Sequence, residues 1–280
     1  MAVESPAASR FTPLEEDLQR LAQLRLMDDD FFSEALDNKP EAVGYIVNTI
    51  LERDDLKIES ARTQVEYKSA TKRSLKLDIR AEDAEGRVID IEIQRADRGT
   101  GVRRARFHSS MIDRSLLEKG DDFEELSDSY VIFITENDKF DRGLPLYHIE
   151  RKVTELGDTL FGDGSHILYV NGAFRDINHP VGRLMHDFNC TNAADMFSEL
   201  LAAEVRYLKE DERGRTSMCK LLEEMRDEAA AKAAEKATHA KAIETARSML
   251  ADGFLTYEKI AQYSGLSLDE IKELAGQRSA

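Results

Sequence analysis

The sequence has few cysteines, and their placement excludes a disulfide-stapled fold. Cys190 and Cys219 are the only two in 280 residues, and neither belongs to a CxxC or Cys/His metal-binding spacing. Isolated thiols of this kind are typical of a reducing compartment, where they carry no structural bond. We therefore assign them no chemical role.

The sequence also has no apolar stretch of membrane-spanning length. Its N-terminus, MAVESPAASRFTPLEED, lacks both the basic start and the apolar core of a signal peptide. We expect a soluble, cytoplasmic protein that makes no contact with a membrane.

Positive charge is scarce overall, but it is concentrated in one segment. The net charge of −16 argues against a general nucleic-acid coat, because phosphate contacts need Lys and Arg. The segment from Ser60 to Arg106, however, contains twelve Lys and Arg residues and only eight Asp and Glu residues. An anionic partner would meet this segment first.

What is present is an alternating segment, SLKLDIRAEDAEGRVIDIEIQR, between Ser74 and Arg95. Its apolar residues recur at every second position, which predicts two β-strands joined by a tight turn. The apolar face comprises Leu75, Leu77, Ile79, Ile89, Ile91 and Ile93. The same alternation places Asp78, Glu92 and Gln94 together on the opposite, polar face.

The turn sets the predicted register of this hairpin. Gly86 suits the position of positive φ in a three-residue loop that closes Asp83 against Arg87. Counting outward then pairs Asp78 with Glu92. The same count pairs Lys76 with Gln94, and Arg80 with Asp90 in an ordinary cross-strand ion pair.

Two directly opposed carboxylates destabilise a sheet unless positive charge lies between them. Mg²⁺ prefers one or two carboxylates and leaves its other positions to water and substrate, so Asp78 and Glu92 supply a suitable set. Gln94 lies on the same face and could orient an attacking water. The alternative is a solvated polar face on which Lys76 and Arg80 neutralise the carboxylates.

The elements around the hairpin predict an α/β domain over residues 29–190. We predict helices at 13–27, 40–53 and 102–119, the last closed by Gly120, and strands at 63–69, 130–135, 145–151 and 166–170. The segment from 95 to 101 reads as a loop, and residues 1–28 as a lead-in.

Basic residues cluster in the first turns of the helix that follows the hairpin. Arg103, Arg104 and Arg106 lie there, where cations are mildly unfavourable, so their clustering favours an anionic partner. The alternative is a solvated helix start. His108 and His148 are interpreted as structural or exposed.

The last third of the chain is predicted to be helical. A helix over 193–212 is followed by an Ala/Glu/Lys-rich helix over 216–252, and together they form an arm over 191–252. Residues 253–280 then predict two short helices in a helix-turn-helix-like tail: Thr256 caps the first, Gly265 ends it, and Ser267 forms a capping box with Glu270. This helical region could support a homo-oligomer.

These features together resemble the PD-(D/E)xK nuclease superfamily, whose core order is αβββαβ and whose motif is Asp, a spacer, then Glu-x-Lys. Here the motif is Asp78, thirteen residues, then Glu92-Ile93-Gln94. Within the superfamily, Glu-x-Gln is typical of the recombination-promoting nuclease (Rpn) and putative transposase group. The likeness covers about residues 29–140, and the tail sequence is also similar.

The resemblance implies a restriction-endonuclease-like αβββαβ core with a mixed sheet, followed by an α-helical C-terminal extension. It implies a Mg²⁺-dependent DNA endonuclease, with Mn²⁺ as a substitute, that could promote recombination. Asp78, Glu92 and the backbone carbonyl of Ile93 would be metal ligands, Gln94 would position water, and Arg104 would contact the scissile phosphate. Asp29 could approach the same site.

A second hypothesis is a catalytically inactive protein that keeps the nuclease fold. It would act as a nucleic-acid-binding or oligomeric interaction module, with the helical tail as its working part. Gln94 is the residue that raises this alternative, because a neutral amide cannot stabilise charge as the superfamily's Lys would.

Overall fold

The computed structural model describes residues 12–68, 74–95 and 101–276. Four predicted features extend beyond these ranges. They are the start of the lead-in, the end of the strand predicted at 63–69, most of the loop predicted at 95–101, and the last residues of the tail.

The described residues form nine α-helices and six β-strands. The helices are α1 (Glu15–Gln23), α2 (Asp29–Leu36), α3 (Pro40–Leu51), α4 (Val102–Leu116), α5 (Pro180–Asn189), α6 (Glu199–Glu210), α7 (Glu212–Asp252), α8 (Tyr257–Ser264) and α9 (Leu268–Gly276). The strands are β1 (Ile58–Tyr67), β2 (Leu75–Asp83), β3 (Val88–Gln94), β4 (Ser129–Thr135), β5 (Leu146–Ile149) and β6 (Ser165–Asn171).

One mixed sheet organises the α/β part of the chain, in the order β1-β2-β3-β4-β6-β5. The first three strands are antiparallel, β3, β4 and β6 are parallel, and β5 pairs antiparallel with β6. The β4 sequence is almost wholly apolar because a parallel strand inside a covered sheet is buried on both faces. The predicted αβββαβ order and the mixed sheet are confirmed.

Helices cover both faces of this sheet around the hairpin. Helix α4 connects β3 to β4 and packs on one face, where Ala105 and Ile112 contact a cluster that includes Val88, Val131 and Phe133. Because side chains alternate along a strand, Ile89 and Ile91 point to the other face, and α2 packs against β1, β2 and β3. Nearly every residue of β3 is therefore buried.

The hairpin turn and its register agree with the prediction. Gly86 has φ +78°, the Asp83 N–H donates to the Arg87 carbonyl over 3.1 Å, and Arg80 stands opposite Asp90. The predicted Arg80–Asp90 ion pair is wrong, because Arg80 bonds instead to Glu82 and to the hydroxyl of Tyr67.

Towards the open end of the hairpin the structure departs from the predicted pairing. The β2–β3 ladder ends at Ile79 and Ile91, so neither the predicted strand pairing of Asp78 with Glu92 nor that of Lys76 with Gln94 forms. The single apolar face is also wrong in part: Leu75 and Leu77 pack in the cluster under α4 with Val88. The alternation therefore breaks at Asp78.

The end of α4 and the start of α6 differ from the predicted helix boundaries. Helix α4 ends at Leu116 and is capped by Leu117, not by Gly120. The helix predicted over 193–212 starts later, because Ser198 caps α6 through a bond from the Leu201 N–H. Helices α2 and α5 were not predicted.

By contact density the chain divides into two compact units, one ending at Cys219 and one beginning at Lys220. The second unit contains α8 and α9, which pack with the end of α7 around Ala246, Ile260, Leu266 and Ile271. Its predicted caps are confirmed: Thr256 accepts from the Lys259 N–H, Gly265 is left-handed, and Ser267 and Glu270 exchange hydrogen bonds. Among the described residues, no helix is both long and apolar enough to cross a membrane.

The start of α5 supplies a test of the packing. A Cβ added at Gly182 would lie 1.9 Å from the Asp176 carbonyl oxygen, so Gly182→Ala must displace backbone. We expect it to lower the free energy of unfolding by about 3 kcal/mol, measured by urea denaturation.

The matched control is Gly44→Ala in α3, whose Cβ would meet Ile58 at an ordinary 3.6 Å. This helix-interior change should leave stability unchanged or raise it by about 0.5–1 kcal/mol. Equal effects of the two substitutions would contradict the close approach at α5.

Candidate active site

The site lies where β2 and β3 part. Beyond the Ile79–Ile91 pair, side-chain carboxylates replace the backbone carbonyls as hydrogen-bond acceptors. The Asp78 N–H donates to Glu92 Oε1 over 3.0 Å, and the Ile93 N–H donates to Asp78 Oδ2 over 3.0 Å. Each carboxylate therefore satisfies a backbone group on the opposite strand, which holds both acids between the strands.

Both acids are withdrawn from water. Asp78 is 9% exposed and Glu92 is fully buried, so the alternative of a solvated polar face is wrong. Burial and then the charge of Glu92 raise the pKa of Asp78 to about 8, and burial and then the charge of Asp90 raise the pKa of Glu92 to about 8. Without a cation, the pair therefore favours holding protons at neutral pH.

Arg104 provides positive charge at this pair from the first turn of α4. Its Nη2 donates to Glu92 Oε2 over 2.8 Å, and its Nη1 donates to Gln94 Oε1 over 3.3 Å. The guanidinium also lies over the ring of Phe133, 6.0 Å from the ring centroid. All four site residues predicted from the sequence thus lie close together: Asp78, Glu92, Gln94 and Arg104.

Two residues that the sequence interpretation missed lie beneath Arg104. His108 Nδ1 is 2.8 Å from Asp90 Oδ2, and Arg104 Nε donates to His108 Nε2 over 3.1 Å. Both His108 and Asp90 are fully buried. Spacing was the available signal, because His108 is one helical turn after Arg104 and Asp90 shares the strand face of Glu92.

Asp29, at the start of α2, belongs to the same electrostatic neighbourhood. Asp29 is exposed at the surface, but partial desolvation and then the charge of Asp30 raise its pKa, and its own negative charge raises the pKa of Asp78. The positive charges of Lys76 and Arg104 act on Asp29 in the opposite direction. Asp29 therefore interacts electrostatically with Asp78, and its part in the site stays a prediction.

A cavity of about 510 Å³ opens beside these residues, between the start of β2 and α4. Its lining includes three cations, Lys76, Arg103 and Arg104, together with the aromatic ring of Phe107. The local excess of positive charge found in the sequence is therefore partly gathered at one opening. Such an opening suits an anionic ligand.

The donor atoms fit a hard divalent cation. Asp78 and Glu92 offer carboxylate oxygens, which Mg²⁺ and Mn²⁺ prefer, and Ile93 follows Glu92 directly on β3. A carboxylate oxygen of Asp90, one of Glu92 and a nitrogen of His108 also lie within 4.8 Å of one another. His108 is not a ligand in this arrangement, because Asp90 and Arg104 engage both of its nitrogens.

A second group of metal-binding side chain types, His186, Asp187 and Cys190, occurs at the end of α5. Both oxygens of the Asp187 carboxylate accept backbone N–H groups, from Phe197 and Ser198. This carboxylate therefore orders the segment before α6.

The family comparison identifies the domain that carries this site. The model of the PD-(D/E)XK nuclease family transposase matches residues 31–179, which is more than half of the chain. Searches of curated proteins and of solved structures found no significant match.

The raised pKa values of the acid pair predict a pH-dependent stability. The unfolded chain releases these protons near pH 4 and the folded protein near pH 8, so the metal-free protein should lose stability as pH rises between them. Asp78→Asn keeps an acceptor for the Ile93 N–H but removes one ionising group. In the presence of a chelator, its loss of unfolding free energy from pH 5 to 8 should be smaller than wild type's, because one of the two carboxyls with a raised pKa is absent.

Glu118→Gln, which removes an exposed carboxyl just after α4, serves as the control and should follow the wild-type profile. Superimposable profiles for wild type and Asp78→Asn would contradict the coupling of this acid pair to folding.

Proposed function

Because the chain belongs to the PD-(D/E)XK nuclease family transposases, we propose that it is a Mg²⁺-dependent endonuclease that hydrolyses phosphodiester bonds in DNA. One observation carries the proposal: Asp78 and Glu92 form a buried carboxylate pair beside a cation-lined opening. A buried acid pair is costly to the fold, and a bound divalent cation is the simplest compensation.

In this proposal the cation is held by Asp78, Glu92 and the backbone carbonyl of Ile93. Mg²⁺, or Mn²⁺ in its place, would supply the charge that polarises a phosphodiester and acidifies a water molecule. The bonds from the Asp78 and Ile93 N–H groups hold the two carboxylates in place before any cation arrives. This preorganisation reduces the reordering that cation binding requires.

Arg104 has the geometry to bind the scissile phosphate. A guanidinium can donate two parallel hydrogen bonds to phosphate oxygens, and both Nη groups of Arg104 already face the acidic side of the site. Lys76 and Arg103 would hold neighbouring backbone phosphates at the same opening.

Gln94 would orient the attacking water from the strand position after Ile93. Its amide oxygen already accepts from Arg104, so the amide plane is fixed relative to the guanidinium. Because the amide is neutral, charge stabilisation falls to Arg104 and the cation.

The wider biological proposal is that DNA cutting by this protein promotes recombination in the cytoplasm. The family description supports a transposase-like role. Self-association through the C-terminal helices is proposed from the long run of exposed residues in the middle of α7.

Purified protein should cut or nick DNA in Mg²⁺, and isosteric removal of either carboxylate should stop it. We expect Asp78→Asn and Glu92→Gln each to lower the cleavage rate by about 100-fold or more, because each removes a charged cation ligand. Single-turnover cleavage of a labelled duplex measures this loss. Glu82→Gln, which removes a carboxylate from the same strand, is the matched control.

Equal cleavage by wild type and both site variants would contradict the catalytic assignment. A wild type that neither cuts DNA nor gains thermal stability with Mg²⁺ or Mn²⁺ would instead favour the inactive interaction module.

A further inference from the structure

In the described part of the chain, Arg104 is held in the site by acceptors that include three side chains on β3 and α4. Two of them, Glu92 and Gln94, lie on β3 and accept from the two Nη groups. The third, His108, lies one turn further along α4 and accepts from Nε. The bond to His108 fixes the Nε end of the guanidinium and leaves its two Nη groups directed at Gln94 and Glu92.

The contact with Arg104 determines the protonation of His108. An arginine Nε–H can only donate, so His108 Nε2 must be an unprotonated acceptor. The neutral imidazole then carries its proton on Nδ1, which donates to Asp90 Oδ2 over 2.8 Å. Protonation at Nε2 would place the His108 Nε2–H against the Arg104 Nε–H, and the hydrogen bond between the two residues would be lost.

Asp90 accepts the Nδ1 proton and so favours the same tautomer. It is fully buried, and its second oxygen, Oδ1, has no hydrogen-bond partner in the part of the chain that the structure describes. An unsatisfied buried carboxylate oxygen destabilises a fold. The bond from His108 Nδ1 to Oδ2 is thus the contact that offsets part of this cost.

The ring of Phe133 restricts the side chains of His108 and Arg104. The Phe133 ring packs against the His108 ring at 5.5 Å and lies under the Arg104 guanidinium. Rotation of either side chain would break both a hydrogen bond and a ring contact. The orientation of the guanidinium therefore depends on the buried pair behind it.

We propose that Asp90 and His108 are positioning residues that hold Arg104 in register with the metal-binding carboxylates, so that its Nη groups can meet the scissile phosphate. This inference rests on the proposed nuclease function and adds to it a hydrogen-bonded series, Asp90–His108–Arg104, whose first two members are fully buried. Asp90 and His108 touch neither the phosphate nor the cation in this arrangement.

The kinetic test compares His108→Leu, which removes the acceptor, with His108→Gln, whose amide oxygen can replace it. His108→Leu should lower kcat about 10–100-fold, the usual cost of losing a supporting partner behind a site residue. The Mg²⁺ concentration for half-maximal rate should stay near the wild-type value, and His108→Gln should recover most of kcat. His148→Leu, at an exposed position on β5, is the control and should cut like wild type.

A second readout does not depend on cleavage. In ¹⁵N NMR spectra the His108 ring should be neutral with its proton on Nδ1, and the Arg104 Nε–H should exchange slowly with water. His108→Leu should release the Arg104 Nε–H to fast exchange. Asp90→Asn keeps an acceptor for Nδ1–H, so it should shift the His108 signals and retain the fold.

The outcomes separate the two claims. If the wild type cuts DNA and His108→Leu has an unchanged kcat, the positioning role is overturned and the proposed nuclease function stands. A fall in Mg²⁺ affinity in His108→Leu would show that His108 is a metal ligand, which would overturn the positioning role. A His108 ring protonated at Nε2 would overturn it as well, because Nε2 could not accept from Arg104. A wild type that cuts no DNA would overturn both claims.

Discussion

The exchange of hydrogen bonds between Asp78 and Glu92 is the constraint on which the rest of the site depends. At the point where β2 and β3 separate, each acid accepts a backbone N–H from the opposite strand. The strands can therefore part without leaving these buried backbone donors unsatisfied. The same bonds hold two carboxylates in a region that water scarcely reaches.

Burying two ionised carboxylates costs free energy, and cations on the surrounding elements reduce that cost. Arg104 reaches Glu92 from α4, while Lys76 and Arg103 line the neighbouring cavity. An acidic protein with net charge −16 thus gathers cations around its acid pair. A divalent cation would complete the neutralisation, and it would explain why the pair is kept in a buried position.

The sequence predicts the fold well because the decisive signals are local. The apolar run of β4, the period-two alternation of the hairpin and the Gly86 turn each depend on a few neighbouring residues. The αβββαβ order and the hairpin register next to the turn could therefore be predicted. The same local reasoning placed Asp78, Glu92 and Gln94 near one another. The roles of these residues remain proposals.

The burial of the site and the positions of Asp90 and His108 depend on packing between elements that are far apart in the sequence. Asp90 reads as a strand acid opposite Arg80, but α4 crosses above it and brings His108 within hydrogen-bonding distance. Strand alternation cannot say which face a helix will cover. For the same reason the break in alternation at Asp78, which places Leu75 and Leu77 under α4, was not predictable.

In the proposed nuclease, Asp78 and Glu92 bind a divalent cation together. Crystals soaked in Mn²⁺ test it most directly, because anomalous scattering locates manganese independently of the assigned protein atoms. We expect an anomalous peak in contact with both carboxylates and the Ile93 carbonyl, and we expect its loss in Asp78→Asn crystals. A Mn²⁺-soaked crystal with both carboxylates ordered and no peak between them would contradict it.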